Sequence, residues 1–267
     1  ENNRLNERCF VRKRKLGFRN CVMLIIDRMT VSRQMAIDNF LEQVLASEET
    51  LTGQAFSKAR QLIKPEAFRE LFDITARIAA TGDGIRRYNG YRIFGIDGTQ
   101  LTLPISNETR EQYPNVNKEQ YKYPRARVSV LCDLMDGHIL DAQITNRQTD
   151  ERTLAKRNLE ACNKYLNSKD IVIFDRGYPS RKLITSLYDK EYRFLMRIQK
   201  SFNSCMDQSS SEDFNTVIRL ENTRCCCRVV KVILPSGETE MLITNLDREQ
   251  FSAEDLKKLY SMRWGVE

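Results

Sequence analysis

The order of apolar runs along the chain predicts an α/β fold, a mixed sheet flanked by helices and preceded by a helical region. Three observations carry that expectation. Residues 1 to about 86 place apolar side chains three and four apart, the helical period. Gly82-Asp83-Gly84 then breaks the pattern. Beyond it come short β-branched runs, three in succession and then alternating with helical stretches, the order of a mixed sheet.

In the first region Thr30 or Ser32 is placed to cap a helix through Met35, Ile37, Phe40, Leu41, Val44 and Leu45. A second helix begins near Thr52 and carries Phe56, Ala59, Leu62 and Ile63. Pro65 suits the first turn of a third, over 65–80, with Phe68, Leu71, Phe72, Thr75 and Ile78 as its apolar face. Residues 91–96 read as a strand ending at Asp97-Gly98. The runs 127–135 and 138–146 flank Asp136-Gly137, a hairpin signal. Residues 150–166 read as a helix with Leu154, Leu159, Cys162 and Leu166 inward, and 170–174 as a buried strand ending at Asp175. A helix over about 180–190 and a strand over 192–199 follow. Strand, hairpin, helix, strand, helix, strand is the order of a ribonuclease-H-like core. Residues 87–267 are therefore expected to form that core, with a β-rich insertion at about 201–245.

Composition narrows the chemistry. The 267 residues, 41% hydrophobic and 30% charged, suffice for a buried core of one large or two modest domains. The apolar run 21–26 is too short to span a bilayer, and no small-residue cleavage site follows it, so a cytoplasmic protein with no membrane partner is expected. The eight cysteines contain no CxxC pair, and Cys225, Cys226 and Cys227 read as strand residues without chemistry. The single histidine, His138, falls in a turn, which excludes zinc fingers and Ser-His-Asp triads. A metal here needs oxygen ligands, as magnesium or manganese does. The net charge is +7, and Arg4, Arg8, Arg12, Lys13, Arg14, Lys15 and Arg19 crowd the first twenty residues, a footprint of phosphate binding. The start without Met and the stop inside a helical pattern read as a fragment of a longer protein.

Three blocks carry the chemistry: Gly95-Ile96-Asp97-Gly98-Thr99, Ile173-Phe174-Asp175-Arg176-Gly177-Tyr178, and Tyr260-Ser261-Met262-Arg263-Trp264-Gly265-Val266-Glu267. Asp97 and Asp175 both follow apolar strands, at the edge where open α/β sheets place ligands. Tyr260, Arg263 and Glu267 stand at i, i+3 and i+7, within roughly 60° on one helical face at about 100° per residue. Gly265 is a point where that helix can break. Trp264 reads as a core anchor, with base stacking as the alternative. Arg176 reads as a DNA contact or a structural ion pair, and Thr99 as a group that orients Asp97.

Taken in order, the blocks resemble the insertion-sequence transposases of the DDE class, in the bacterial IS-four type branch with a Y-x2-R-x3-E signature and a Lys seven residues further on. The resemblance covers residues 91–267 and stops at Glu267, short of that Lys. It implies a DNA transposase that cleaves transposon ends and transfers strands into target DNA. Asp97, Asp175 and Glu267 would be the catalytic, metal-holding carboxylates. Two Mg²⁺ or Mn²⁺ ions, about 3.5–4 Å apart in such sites, would serve an in-line displacement. Tyr260, Arg263, Arg176 and Trp264 would contact DNA, Arg263 by gripping phosphate oxygens. The implied partners are double-stranded DNA, as inverted-repeat ends and target, and a second copy forming a homodimer on DNA, at the bacterial nucleoid. Two other readings use the same residues: a truncated, inactive DNA-binding remnant, and a ribonuclease-H-like nuclease that cuts without joining.

Overall fold

The computed structural model describes residues 2–12, 16–27, 31–47, 49–114, 123–200, 202–233 and 237–266. The chain divides into two compact units, Glu1–Thr75 and Ala76–Glu267.

The first unit is helical. Helices α1 (Phe18–Ile26), α2 (Arg33–Asn39), continued by a wider turn over Phe40–Val44, and α3 (Gly53–Arg60) bury Leu24, Ile37, Phe40, Leu41 and Phe56 together. Ser32 caps α2 by accepting from Met35 N, and Thr52 caps α3 through Ala55 N. Thr30 lies outside the described residues. Met35 and Val44, expected inward, are exposed. The division between units falls within α4 (Glu66–Thr81), where the expected apolar face is corrected. Phe68 and Phe72 are half-buried, as expected, but Leu71, Thr75 and Ile78 are exposed, and the fully buried positions are Ala67, Ala76 and Ala80. A single methyl lets a helix backbone approach its neighbours closely, so close packing follows the small residues here.

The second unit is built on one sheet. Its strands are β1 (Arg92–Thr102), β2 (Arg125–Asp133), β3 (Ile139–Asn146), β4 (Asp170–Phe174), β5 (Arg193–Ile198), β6 (Asp213–Leu220), β7 (Thr223–Ile233) and β8 (Thr239–Thr244). They lie in the order β3-β2-β1-β4-β5-β8-β7-β6. The β1–β4 and β4–β5 pairs are parallel, and the other neighbours are antiparallel. Short helices α5 (Asn107–Gln112) and α8 (Ser204–Asp207) lie in connections. The larger helices α6 (Glu151–Cys162), α7 (Arg181–Asp189) and α9 (Ala253–Ser261) flank the sheet. This is the α/β, ribonuclease-H-like architecture that the element order predicts. Residues 201–245 supply β6, β7 and β8, which lengthen the same sheet beyond β5.

Alternation along the central strands covers both faces. Phe94, Ile96, Val172 and Phe174 pack with Ala155 and Leu159 of α6 and Leu183 and Leu187 of α7. Ile93, Ile171 and Ile173 pack on the other face with Leu256, Leu259 and Tyr260 of α9. Strands covered on both faces read as continuous apolar runs, which is why β4 was legible. Cys225 and Cys227 point inward from β7 and Cys226 outward, and burial pushes the Cys227 thiol up to about 12. Among the described residues no helix is long and apolar enough to cross a membrane.

One expectation changes here. The strand taken to stop at Asp97 runs on to Thr102. β2 pairs with it without interruption from Phe94↔Asp133 to Thr102↔Arg125, so hydrogen bonding continues on that side. On the other side β4 stops at Ile96↔Phe174.

At the opposite end of the β1–β4 pair lies a buried ion pair. Arg92 Nε and Nη2 donate to Asp170 Oδ1 and Oδ2 at 2.7 and 2.6 Å, and the same guanidinium donates to the Ala80 and Tyr165 carbonyls. The two side chains are 4% and 3% exposed. Asp170→Ala leaves that charge buried without its counter-ion and should destabilise the unit by about 3–5 kcal/mol, read as a lowered denaturation midpoint.

Candidate active site

The register of β1 against β4 builds the site. Ile96 faces Phe174 as the last parallel pair, and the next residues are Asp97 and Asp175. Neighbouring strands lie about 4.8 Å apart, so the two carboxylates emerge side by side at the carboxyl edge of the parallel pair. Alternation from Ile93 and Ile173 turns both toward the α9 face. Asp97 Oδ1 accepts from Gly98 N at 2.8 Å. Thr99, expected to orient Asp97, is exposed.

The third block arrives on α9. A capping box of Ser252 and Asp255 starts the helix, which ends at Ser261 and tightens to a 3-10 turn over Met262–Val266. Tyr260 and Arg263 stay three residues apart across that change and both reach Asp175. The Tyr260 hydroxyl donates to Asp175 Oδ1 at 3.1 Å, and Arg263 Nε lies 3.8 Å from the same oxygen. Both are buried, at 8% and 3%, while Asp175 keeps a third of its side chain in solvent. Trp264 departs from the expected core anchor. It is 62% exposed, with the Arg263 guanidinium 4.4 Å from its ring centre. The tightened turn rotates it off the buried face.

Gly95 was passed over in the sequence and proves structural. A Cβ there would meet Val266 Cγ2 at 2.5 Å and Leu134 Cδ2 at 3.0 Å, so the turn carrying Arg263 rests on a strand position that has no side chain. The available signal was a glycine inside a strand, which often marks close approach. Glu267 lies outside the described residues. Arg176 is exposed and makes no ion pair among the described residues. It lines a cleft of about 540 Å³ with Arg197, Gln199, Lys200 and Glu240.

Two residues of α6 also reach this edge without having been singled out. Arg152 donates to the carbonyls of Tyr178 at 3.0 Å, Gly177 at 3.1 Å and Pro179 at 3.4 Å, fastening the loop that follows Asp175. Beside it Glu151 approaches Gly98 and Gly177.

Asp97 and Asp175 offer oxygen ligands only, a donor set that fits a hard divalent cation. Among the described residues no three His, Cys, Asp or Glu side chains are arranged to hold a metal.

A mixed sheet with paired carboxylates at its parallel edge defines a domain of the ribonuclease-H-like class. The sequence profile of the family described as "Transposase DDE domain" matches residues 88–267, more than half of the chain, and the chain belongs to that family. Its fold is similar to that of a piggyBac transposase in a cryo-EM synaptic complex with hairpin DNA, at 12% identity and a TM-score of 0.52. That match covers 92% of this chain and 56% of the other, so this chain spans little more than half of that relative. A pre-cleavage Mos1 transpososome matches at 13% identity and a TM-score of 0.29, over 66% of this chain and 57% of that one. Ciona intestinalis Endonuclease V, in complex with a 24mer DNA, matches at 9% identity and 0.31, over 74% and 87%. No curated protein matches.

Burial, and then the Asp175 charge, push the Tyr260 hydroxyl above its ordinary range. The fold thus favours the protonated phenol. That stabilisation is complete below the ordinary tyrosine value of about 10 and is lost as pH rises through the higher folded value. Thermal melts should therefore fall above a pH of about 10, and less steeply in Tyr260→Phe. At neutral pH the same variant should lose about 1 kcal/mol with its hydrogen bond.

Proposed function

We propose that this chain cleaves DNA at transposon ends and joins the freed ends to target DNA, using Mg²⁺ or Mn²⁺ held by Asp97, Asp175 and Glu267. One observation carries the reading: two carboxylates side by side at the parallel edge, with Tyr260 and Arg263 both directed at Asp175. Convergence of those two residues supports the Y-x2-R-x3-E branch, the IS-four type, in which Glu267 completes the signature.

When bound, two divalent cations activate an attacking oxygen and stabilise a leaving one. The residues of the chain do the rest. Asp97 and Asp175, with Glu267, would hold the cations through their carboxylate oxygens. Arg263, held rigid by burial, presents its guanidinium to a scissile phosphate, a charge-assisted contact suited to that anion. Tyr260 holds Asp175 in place from behind. Exposed Trp264 offers a flat face on which a base can stack, and exposed Arg176 offers charge to a neighbouring phosphate. Residues 1–86 form the basic DNA-binding region and 87–267 the catalytic one. The active form is a homodimer holding paired ends of double-stranded DNA, at the nucleoid in the cytoplasm.

The test is Mn²⁺-dependent nicking of supercoiled plasmid at low salt, where phosphate contacts are strongest. The wild type should nick, and Asp97→Ala and Asp175→Ala should each lose more than about 10²-fold in rate. Supplying cut transposon ends separates the remaining classes. Joined products support the transposase, whereas cutting without joining marks a nuclease, and salt-sensitive binding with no cutting under any metal marks an inactive binder.

A further inference from the structure

On the α6 side of the sheet edge, a second group of side chains meets the glycines that follow Asp97 and Asp175. A methyl group at Gly98 would lie 3.4 Å from both Glu151 Cγ and Tyr178 Oη, and 3.6 Å from Glu151 Cδ. One at Gly177 would lie 3.7 Å from Glu151 Oε2. The Glu151 carboxylate therefore faces the two glycines that follow Asp97 and Asp175, and neither carries a side chain that would shield it.

Tyr178 supplies an independent observation. Its side chain is 1% exposed, its ring packs on Phe174 at 5.7 Å, and its hydroxyl has no hydrogen-bond partner among the described residues. A buried hydroxyl left unsatisfied costs stability, and phenylalanine would fill the same space without that cost. A phenol is protonated at neutral pH, so the group is able to donate. The Arg152 clamp on the carbonyls of Gly177, Tyr178 and Pro179 fixes this hydroxyl in position.

We propose that Glu151 and the Tyr178 hydroxyl form a water-holding subsite at Gly98 that seats the attacking oxygen against the Asp97–Asp175 pair. The inference rests on the phosphodiester chemistry proposed above. The Tyr178 O–H donates to one lone pair of the water, and Glu151 accepts one of its protons. The other lone pair faces the scissile phosphate. On attack the water O–H bond breaks toward Glu151 and a P–O bond forms. The P–O3′ bond then breaks, and the departing 3′ oxygen takes a proton from solvent, to which Glu151 later returns its own. Glu151 is thus a further catalytic residue acting as general base, and Arg152 is a positioning residue.

The experiment compares the wild type, Asp175→Ala, Tyr178→Phe and Glu151→Gln in Mn²⁺-dependent plasmid nicking across pH. Melting temperature and calorimetric Mn²⁺ binding are measured alongside. Tyr178→Phe should melt at or above the wild-type temperature, keep its Mn²⁺ affinity and nick about 10-fold more slowly. Glu151→Gln should keep its Mn²⁺ affinity, nick about 10²-fold more slowly and depend more steeply on hydroxide. Rates within about two-fold of wild type in both variants, with Asp175→Ala silent, overturn the subsite and leave the carboxylate pair standing. A Tyr178→Phe chain that melts well below the wild type assigns the hydroxyl to the fold and also overturns it. Nicking that survives Asp175→Ala overturns the proposed chemistry itself.

Discussion

The buried Arg92–Asp170 pair sets the geometry on which the site depends. The two residues face each other in the parallel register of β1 and β4, and their bidentate contact leaves no room for a slip. A shift by one residue would turn every side chain of a strand to the wrong face. Five residues further along each strand stand Asp97 and Asp175. An ion pair at one end of the sheet thus aligns two carboxylates at the other, which repel one another and could not set the register themselves. Pairs of this kind contribute specificity more readily than net stability; here the specificity is that of register.

The carboxylates stand at a seam between parallel and antiparallel pairing. Asp97 lies beyond the last parallel pair with β4 but remains paired with Val130 of β2, which holds its backbone. Asp175 has left its strand and is held instead by Tyr260 and by the loop that Arg152 fastens. Rigid backbone under one carboxylate and an anchored loop under the other describe a site with little freedom to reorganise, which is what electrostatic catalysis requires.

The sequence made the central sheet legible because its strands are covered on both faces and read as unbroken apolar runs. Asp97 and Asp175 were legible for the same reason, as the first polar residues after Ile96 and Phe174. The continuation of β1 to Thr102 was not, since residues 99–102 face solvent and carry a single apolar residue, Leu101. Trp264 misled because bulk usually means burial, whereas the backbone tightens at Met262 and turns it outward. In α4 the large apolar residues suggested a face that the alanines in fact supply. Glu151 was hidden by its position: an acid in a first helical turn has an ordinary role there. Its approach to Gly98 and Gly177 arises only when α6 is laid beside β1 and the loop after Asp175, both distant in sequence.

Asp175 and the tyrosine that holds it are 85 residues apart in the chain. Between them lie β5 to β8 and the start of α9. On a ribosome the two aspartates therefore emerge well before the arginine and tyrosine that restrain one of them. An emerging chain carries these carboxylates before Tyr260 and Arg263 can meet Asp175. The order of synthesis thus delays the assembly of the site until the residues through Arg263 have been made.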